Sequence, residues 1–346
     1  MKKKILFPGL IVLLLLFSQH YPVENIYADS EDKALIINTA GVYDFKNQVL
    51  EGHAAPAVII TAPNVVLKNV RIMMDNQEHY GLEIDGASNV VIENVSVEGL
   101  KEKSNHGIFI NNSNSIKLNR ISVHNVMDGI YINRSHDITL GDIISYSNRY
   151  GIHTMYSDSI KISNSELFNN RTSIMAMISE DLSITGNSIH SNIQLNSQGV
   201  ISYQNANVDI ENNSFTSNLN ALSIQDSKSV TITDNHIISN QGTFHILKSD
   251  PYIERNYIVR NIRELVSDKK LTNISGNYYS DSRMIDLDDD GFSDTPKVFE
   301  NGMNQLLLDT DELQFYQQGT LGFFLDFLDQ FTDFDDGTRD EKPRIY

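Results

Sequence analysis

The 346-residue chain has no cysteine, and that single absence removes several classes of protein. There can be no disulfide framework, no thiolate nucleophile, no thiolate metal site and no cysteine for lipid attachment. The soft metal donors that remain are nine methionines and ten histidines. Basic residues are scarce as well: 27 Lys and Arg stand against 45 Asp and Glu, a formal net charge of −18. That balance disfavours a nucleic-acid ligand and, more weakly, an acidic polysaccharide. Only one long apolar run is present, Ile5 to Phe17, which follows a basic MKKK and contains Pro8 and Gly9. It is short for a bilayer and reads as an export signal with cleavage after Ala28; retention as an uncleaved N-terminal anchor is the alternative. An exported chain without disulfides must take its rigidity from regular packing or from metal clips.

Regular packing is what the middle of the chain offers. Gly81, Gly107, Gly129, Gly151, Ser173, Gly199, Ala221 and Thr243 are separated by 26, 22, 22, 22, 26, 22 and 22 residues. An apolar-x-apolar pattern usually follows each of them, and within a unit the apolar residues alternate in three short bursts. After Gly129 these are Ile130 and Ile132, Ile138 and Leu140, then Ile143 with Ser145. No burst is long enough for a helix, and a unit this short cannot bury its own apolar face, so copies must stack. The expected fold is all-β, a right-handed parallel β-helix with rungs of about 22 residues spaced about 4.8 Å apart. Two polar columns keep the same register: Asn148, Asn170, Asn192, Asn218 and Asn240, and Ser113, Ser135, Ser157, Ser179, Asn205, Ser227 and Ser249. Stacked amides and hydroxyls would satisfy backbone groups at the turns. The expected organisation is a signal over 1–28, a strand and cap over 29–52, the solenoid over 53–280, and an end piece over 281–346.

If the first and third positions after each small residue point inward, the second and fourth point out. His153 and Met155 are then outward on one rung and Met175 and Met177 on the next, with Tyr131 and Asn133 on the rung before. One imidazole and three thioethers on adjacent strands suit a soft ion, above all Cu(I). The same methionines equally suit an adaptable protein-contact surface. A second outward column holds His124, Tyr146, Phe168 and His190, which would either bind sugars or simply stabilise the stack. His79, His106, His236 and His245 read as ordinary surface or turn residues.

Where the repeat fades, residues 286–297 read DLDDDGFSDTPK. Asp286, Asp288, Asp290, the carbonyl of Phe292 and Asp294 match alternate positions of a calcium loop, with Gly291 at its sharp turn. Lys297 stands where a bidentate glutamate is usual, and no helical pattern leads in. The loop is therefore expected to be a structural calcium clip at the end of the stack. After it, Leu321, Phe324, Leu325, Leu328 and Phe331 recur at helical spacing. An apolar C-terminal helix is expected there, either capping the β-helix or docking on a membrane partner.

These motifs together resemble the NosD family of exported copper-binding β-helix proteins that serve nitrous-oxide reductase maturation. Its members carry G-I-x-I units and a junction of the type NYWSD…DLDGDGxGDTPY. Here the junction reads Asn277-Tyr-Tyr-Ser-Asp281, then Asp286 through Lys297, with Tyr279 for the Trp, Asp289 for the middle Gly and Lys297 for the closing Tyr. The resemblance implies a non-catalytic accessory of an ABC transporter, made of an ATPase and a membrane subunit, outside the membrane. It implies copper received from a lipoprotein chaperone and delivered to nitrous-oxide reductase or another metalloenzyme client. It supplies no ligand motif for copper, so the His153, Met155, Met175, Met177 set rests on strand geometry alone.

Parallel β-helices also house polysaccharide lyases and epimerases, which need clustered acids, a base for the uronate, or an Asp-Pro-His element. The sequence reading places no pair of outward carboxylates on adjacent rungs, and the one Asp-Pro, Asp250-Pro251, continues with Tyr252. A non-catalytic surface or binding module is the remaining alternative.

Overall fold

The computed structural model describes residues 34–299, apart from 54, 76, 77, 101–103 and 281–283, together with 337–345. The expected signal, 1–28, lies outside the described residues. Within them the chain forms thirty short strands. Each rung gives one strand to an eleven-stranded, all-parallel sheet that runs from Leu35–Ile37 to Arg263–Ser267. The rest of each rung closes the coil on the other side. In one rung it is a single bent strand, His136–Tyr146, with Asp142 at the bend in the left-handed region (φ 54°). In the next it divides into Asp158–Ser163 and Glu166–Phe168 around Asn164 (φ 51°). Asn and Asp recur at this bend because a short polar side chain tolerates positive φ and bonds locally. Asn94 Nδ2, for example, donates to Asn69 Oδ1 of the rung below at 2.7 Å. The result is a right-handed parallel β-solenoid, as the period predicts.

Alternation decides what fills the coil. Ile130 and Ile132, Ile152 and Thr154, and Ile174 and Ala176 are all fully buried, and each pairs with its counterpart one rung away. Full burial stabilises by roughly 1.5–3 kcal/mol per large aliphatic side chain, so the stacked isoleucines supply most of the driving force. A small residue must open each rung because the strands approach closely: a Cβ on Gly151 would sit 2.6 Å from the carbonyl oxygen of Ser173.

Both polar columns form hydrogen-bonded ladders. The N–H of Asn148 donates to Asn170 Oδ1 at 3.0 Å, and that of Asn170 to Asn192 Oδ1 at 2.8 Å. The series runs on through Asn218 and Asn240 to Asn261. In the serine column the N–H of Ser113 donates to Ser135 Oγ and that of Ser135 to Ser157 Oγ, each at 3.1 Å. A third ladder, not among the two expected, joins Asn187, Asn213, Asn235, Asn256 and Asn277. Asp340 terminates it, accepting from the N–H of Asn277 at 3.0 Å and from its Nδ2 at 3.1 Å.

The end piece departs from the sequence reading. Among the described residues there is no helix, which corrects the expectation of an apolar C-terminal helix in the fold. Beyond the acidic loop the described chain instead forms a two-residue strand, Arg339–Asp340, antiparallel to Lys297–Val298. Leu321, Phe324, Leu325, Leu328 and Phe331 lie outside the described residues. No described helix is therefore long and apolar enough to cross a membrane.

Candidate metal centre

Two adjacent strands of the eleven-stranded sheet, Tyr150–Met155 and Thr172–Met177, carry the outward His and Met residues, and Asp128–Asn133 flanks them. Register pairs His153 with Tyr131 on one side and Met175 on the other, and Met155 with Asn133 and Met177. The four residues His153, Met155, Met175 and Met177 therefore occupy one two-by-two patch on adjacent rungs. The three methionines are half-buried.

His153 is not the open surface imidazole that its outward position implies, since it is only 8% exposed. The cover comes from the neighbouring strand, from the first residue of its own strand and from the turn before it. Asp128, fully buried, takes the Nδ1 of His153 at 2.9 Å on its Oδ2. Arg149 grips the same carboxylate with two donors, Nε to Oδ1 and an Nη to Oδ2, both at 2.9 Å. The Tyr131 ring stacks on the imidazole at 4.6 Å between centroids, and Tyr150 meets it edge-on at 5.1 Å. Tyr131 also donates its hydroxyl to Met155 Sδ at 3.7 Å. The other ring nitrogen, His153 Nε2, is buried and has no hydrogen-bond partner. A buried polar atom without a partner costs roughly 1–3 kcal/mol, and water or a metal ion would each supply the bond that Nε2 lacks.

His106, read from sequence as surface, is also drawn into this cluster. Its Nδ1 lies 3.3 Å from Asp128 Oδ2 without the alignment of a hydrogen bond. Burial pushes its pKa down to about 4; Asp128 opposes the shift, and Arg149 and His153 add to it. The sequence signal for this cover exists. Tyr80, His106, Asp128 and Tyr150 each immediately precede a glycine of the repeat column, and so inherit its period.

The acidic loop is a separate candidate. Carboxylate oxygens of Asp286, Asp288 and Asp294 lie within 4.8 Å of one another and could hold a metal ion. Asp290 falls outside that group and accepts from the N–H of Phe292 at 2.8 Å. Asp286 accepts from the N–H groups of Asp289 and Gly291, at 2.6 and 3.0 Å, and Gly291 has φ +85°. Lys297, at the twelfth position, is committed elsewhere: its Nζ pairs with Glu264 at 2.7 Å. All-oxygen donors suit a hard cation rather than Cu(I).

His124, Tyr146, Phe168 and His190 stack on successive rungs, with centroids 4.6, 4.9 and 5.1 Å apart and nearly parallel planes. Their inner ring faces are occupied by one another, which leaves edges for any ligand along most of the column. One outward carboxylate pair does fall on adjacent rungs where the sequence reading found none. It is Asp158 with Glu180, both exposed at strand starts.

A closed stack of parallel strands with its interior filled by aliphatic side chains defines the class of parallel β-solenoids. Residues 88–286 match the family described as periplasmic copper-binding protein (NosD). That is more than half of the chain, and the protein belongs to this family, one of binding proteins and not of enzymes. No curated protein matches the chain. Solved structures with a similar solenoid include tailspike protein 2 of bacteriophage CBA120, at 12% identity and a TM-score of 0.47 over 60% of this chain. Another is an exopolygalacturonase from Thermotoga maritima, at 14% and 0.49 over 57%. A third is the A-module of a mannuronan C-5 epimerase from Azotobacter vinelandii, at 14% and 0.39 over 61%. The matches span 38%, 53% and 80% of those chains, and nothing about activity follows from them.

Proposed function

We propose that this protein binds copper as cargo outside the cytoplasm, at His153, Met155, Met175 and Met177, and passes it to a metalloenzyme under assembly. The observation that carries the reading is the buried, unpartnered Nε2 of His153 within a patch of three half-buried thioethers on the same and the next strand. A neutral imidazole and thioethers are donors that favour Cu(I) over harder ions, and family membership favours copper as the metal. By the same family resemblance, the partners are an ABC transporter's membrane subunit with its ATPase, a lipoprotein chaperone that supplies copper, and nitrous-oxide reductase as client. The Asp286, Asp288, Asp294 group is assigned to calcium as a structural ion. The test is anaerobic Cu(I) titration of residues 29–346 against a chelator of known affinity, beside the His153→Ala, Met155→Ala, Met175→Ala, Met177→Ala variant. Tight one-to-one binding that the variant loses supports the site. Equal binding by both proteins moves the site elsewhere, and absence of binding by the unaltered protein ends the reading.

A second reading, a non-catalytic module for an extended glycan, is favoured by a groove of about 920 Å³ on the opposite side of the coil. Arg71, Ser96, Ser122, Ile144, Glu166 and Ser188 line it in one paired column over six rungs, about 24 Å. Arg71 and Arg120 are paired there with Glu98 and Glu93, so the lining favours a neutral chain. Calorimetry with neutral and uronate oligosaccharides, using Ile144→Asp as the control, decides this reading. No heat from any oligosaccharide removes it.

A further inference from the structure

A histidine offers a metal only one of its two nitrogens, and the hydrogen bond made by the other decides which. At His153 that bond is defined. Nδ1 lies 2.9 Å from Asp128 Oδ2, and Arg149 donates to both oxygens of the same carboxylate. A carboxylate engaged in this way accepts from its third neighbour, so the proton resides on Nδ1 and the lone pair on Nε2. The ring is also held against rotation by Tyr131 on its face and Tyr150 at its edge. His106 Nδ1 approaches the same oxygen to 3.3 Å but is not aligned with it, which leaves that acceptor to His153. The metal patch thus has a buried anionic support that none of its four proposed ligands supplies.

We infer that Asp128, held by Arg149, is a positioning residue that fixes His153 as the Nδ1–H tautomer and so presents Nε2 as the nitrogen donor of the patch. This rests on the copper reading above, but it makes a claim about the metal-free protein that can be measured separately. Asp128→Asn is the informative variant. Arg149 would claim the single remaining oxygen, which leaves an amide N–H facing Nδ1. The imidazole must then move its proton to Nε2 to accept that bond, and the donor nitrogen is lost.

The experiment has two arms on the mature-length chain, 29–346. In the first, ¹⁵N spectra of the imidazoles, assigned with His153→Gln, read the tautomer of His153 without metal. Nδ1–H is expected in the unaltered protein and Nε2–H in Asp128→Asn. In the second, chelator competition reads Cu(I) affinity, with a loss of roughly 10–100-fold expected for Asp128→Asn, the usual effect of removing a histidine's outer partner. An Nε2–H tautomer in the unaltered protein overturns the inference before any metal is added, and without dependence on whether Asp128→Asn folds. If the unaltered protein binds Cu(I) and Asp128→Asn binds it equally well, the positioning role fails and the site stands. If the unaltered protein binds no Cu(I), the copper reading fails and the donor role falls with it, while the tautomer result still reports on Asp128.

Discussion

Asn235 offers the sharpest test of how the stack is held. It is fully buried, and its side chain is used to capacity. Oδ1 accepts from the N–H of Asn213 at 2.9 Å and from its Nδ2 at 3.0 Å. The two hydrogens of Nδ2 are shared among three acceptors, the carbonyls of Ile210 and Thr233, both at 2.9 Å, and Asn256 Oδ1 at 3.0 Å. Asn235→Ala strands the buried N–H of Asn213, at roughly 1–3 kcal/mol, and removes the two hydrogens of Nδ2, whose bonds are worth about 1 kcal/mol net each, while Asn213 Nδ2 keeps the carbonyls of Ile184 and Glu211. The expected loss is about 3–5 kcal/mol, near the upper end for one substitution. Asn235→Asp keeps the acceptor for Asn213 but turns an acceptor-only carboxylate toward two carbonyls. It should be at least as damaging at pH 7 and recover in part as acid restores one donor. Lys228→Ala, exposed at the start of the strand that leads to Asn235, should change stability by no more than about 0.5 kcal/mol. Urea unfolding followed by far-ultraviolet circular dichroism measures all three, with the slope checked for constancy. A loss below about 1 kcal/mol for Asn235→Ala at unchanged slope would refute the ladder as a stabilising device.

Three further outcomes are expected. Asp340→Ala, which leaves the N–H of Asn277 and the hydroxyl of Tyr279 without their acceptor and the N–H of Gly276 with only the Lys342 carbonyl, should speed amide exchange in the last rungs while sparing the first; uniform exchange throughout would contradict it. His106 titrates near 4 when folded and near its ordinary value of 6.5 when unfolded. Between those values the unfolded chain binds more protons, so stability should fall as the pH falls through that window, by roughly 3 kcal/mol in total. His106→Gln should flatten that part of the profile, and an unchanged slope would show the burial to be without consequence. If the acidic loop binds calcium, the ion at one hundred times its dissociation constant should stabilise by about 2.7 kcal/mol. Thermal melts with and without chelator would then differ for the native loop but not for Asp286→Asn with Asp288→Asn and Asp294→Asn.

The rungs, two of the three ladders and the sidedness of the His and Met residues were legible because each depends on a fixed period. The third ladder escaped because its asparagines are spaced 26, 22, 21 and 21 residues apart and drift from the glycine column. Alternation puts His153 at an outward position of its strand, and its burial is not legible from that. Strand alternation says which way a side chain points, not what the neighbouring turn folds over it. His106 and Arg149 lie in those turns, Asp128 opens a strand, and the three meet only in three dimensions. Lys297 and Asp340 show the same limit at the end of the chain. In sequence Lys297 only stands in the place of a ligand, whereas in the fold it is committed to Glu264, and Asp340 reaches a ladder whose last member lies 63 residues earlier.

Asp340 also settles a difficulty that any stacked parallel coil must face. Each asparagine of the third ladder passes on what it receives: its amide hydrogens go to one neighbour and its oxygen serves another. Such a chain has no natural stop, and a naked last rung is a template on which a second molecule can continue the coil. An aspartate takes hydrogen bonds and returns none. Placed at the final step by Arg339–Asp340, it turns a repeating pattern into a finite object, so that one end of the solenoid is closed to growth by its own chain.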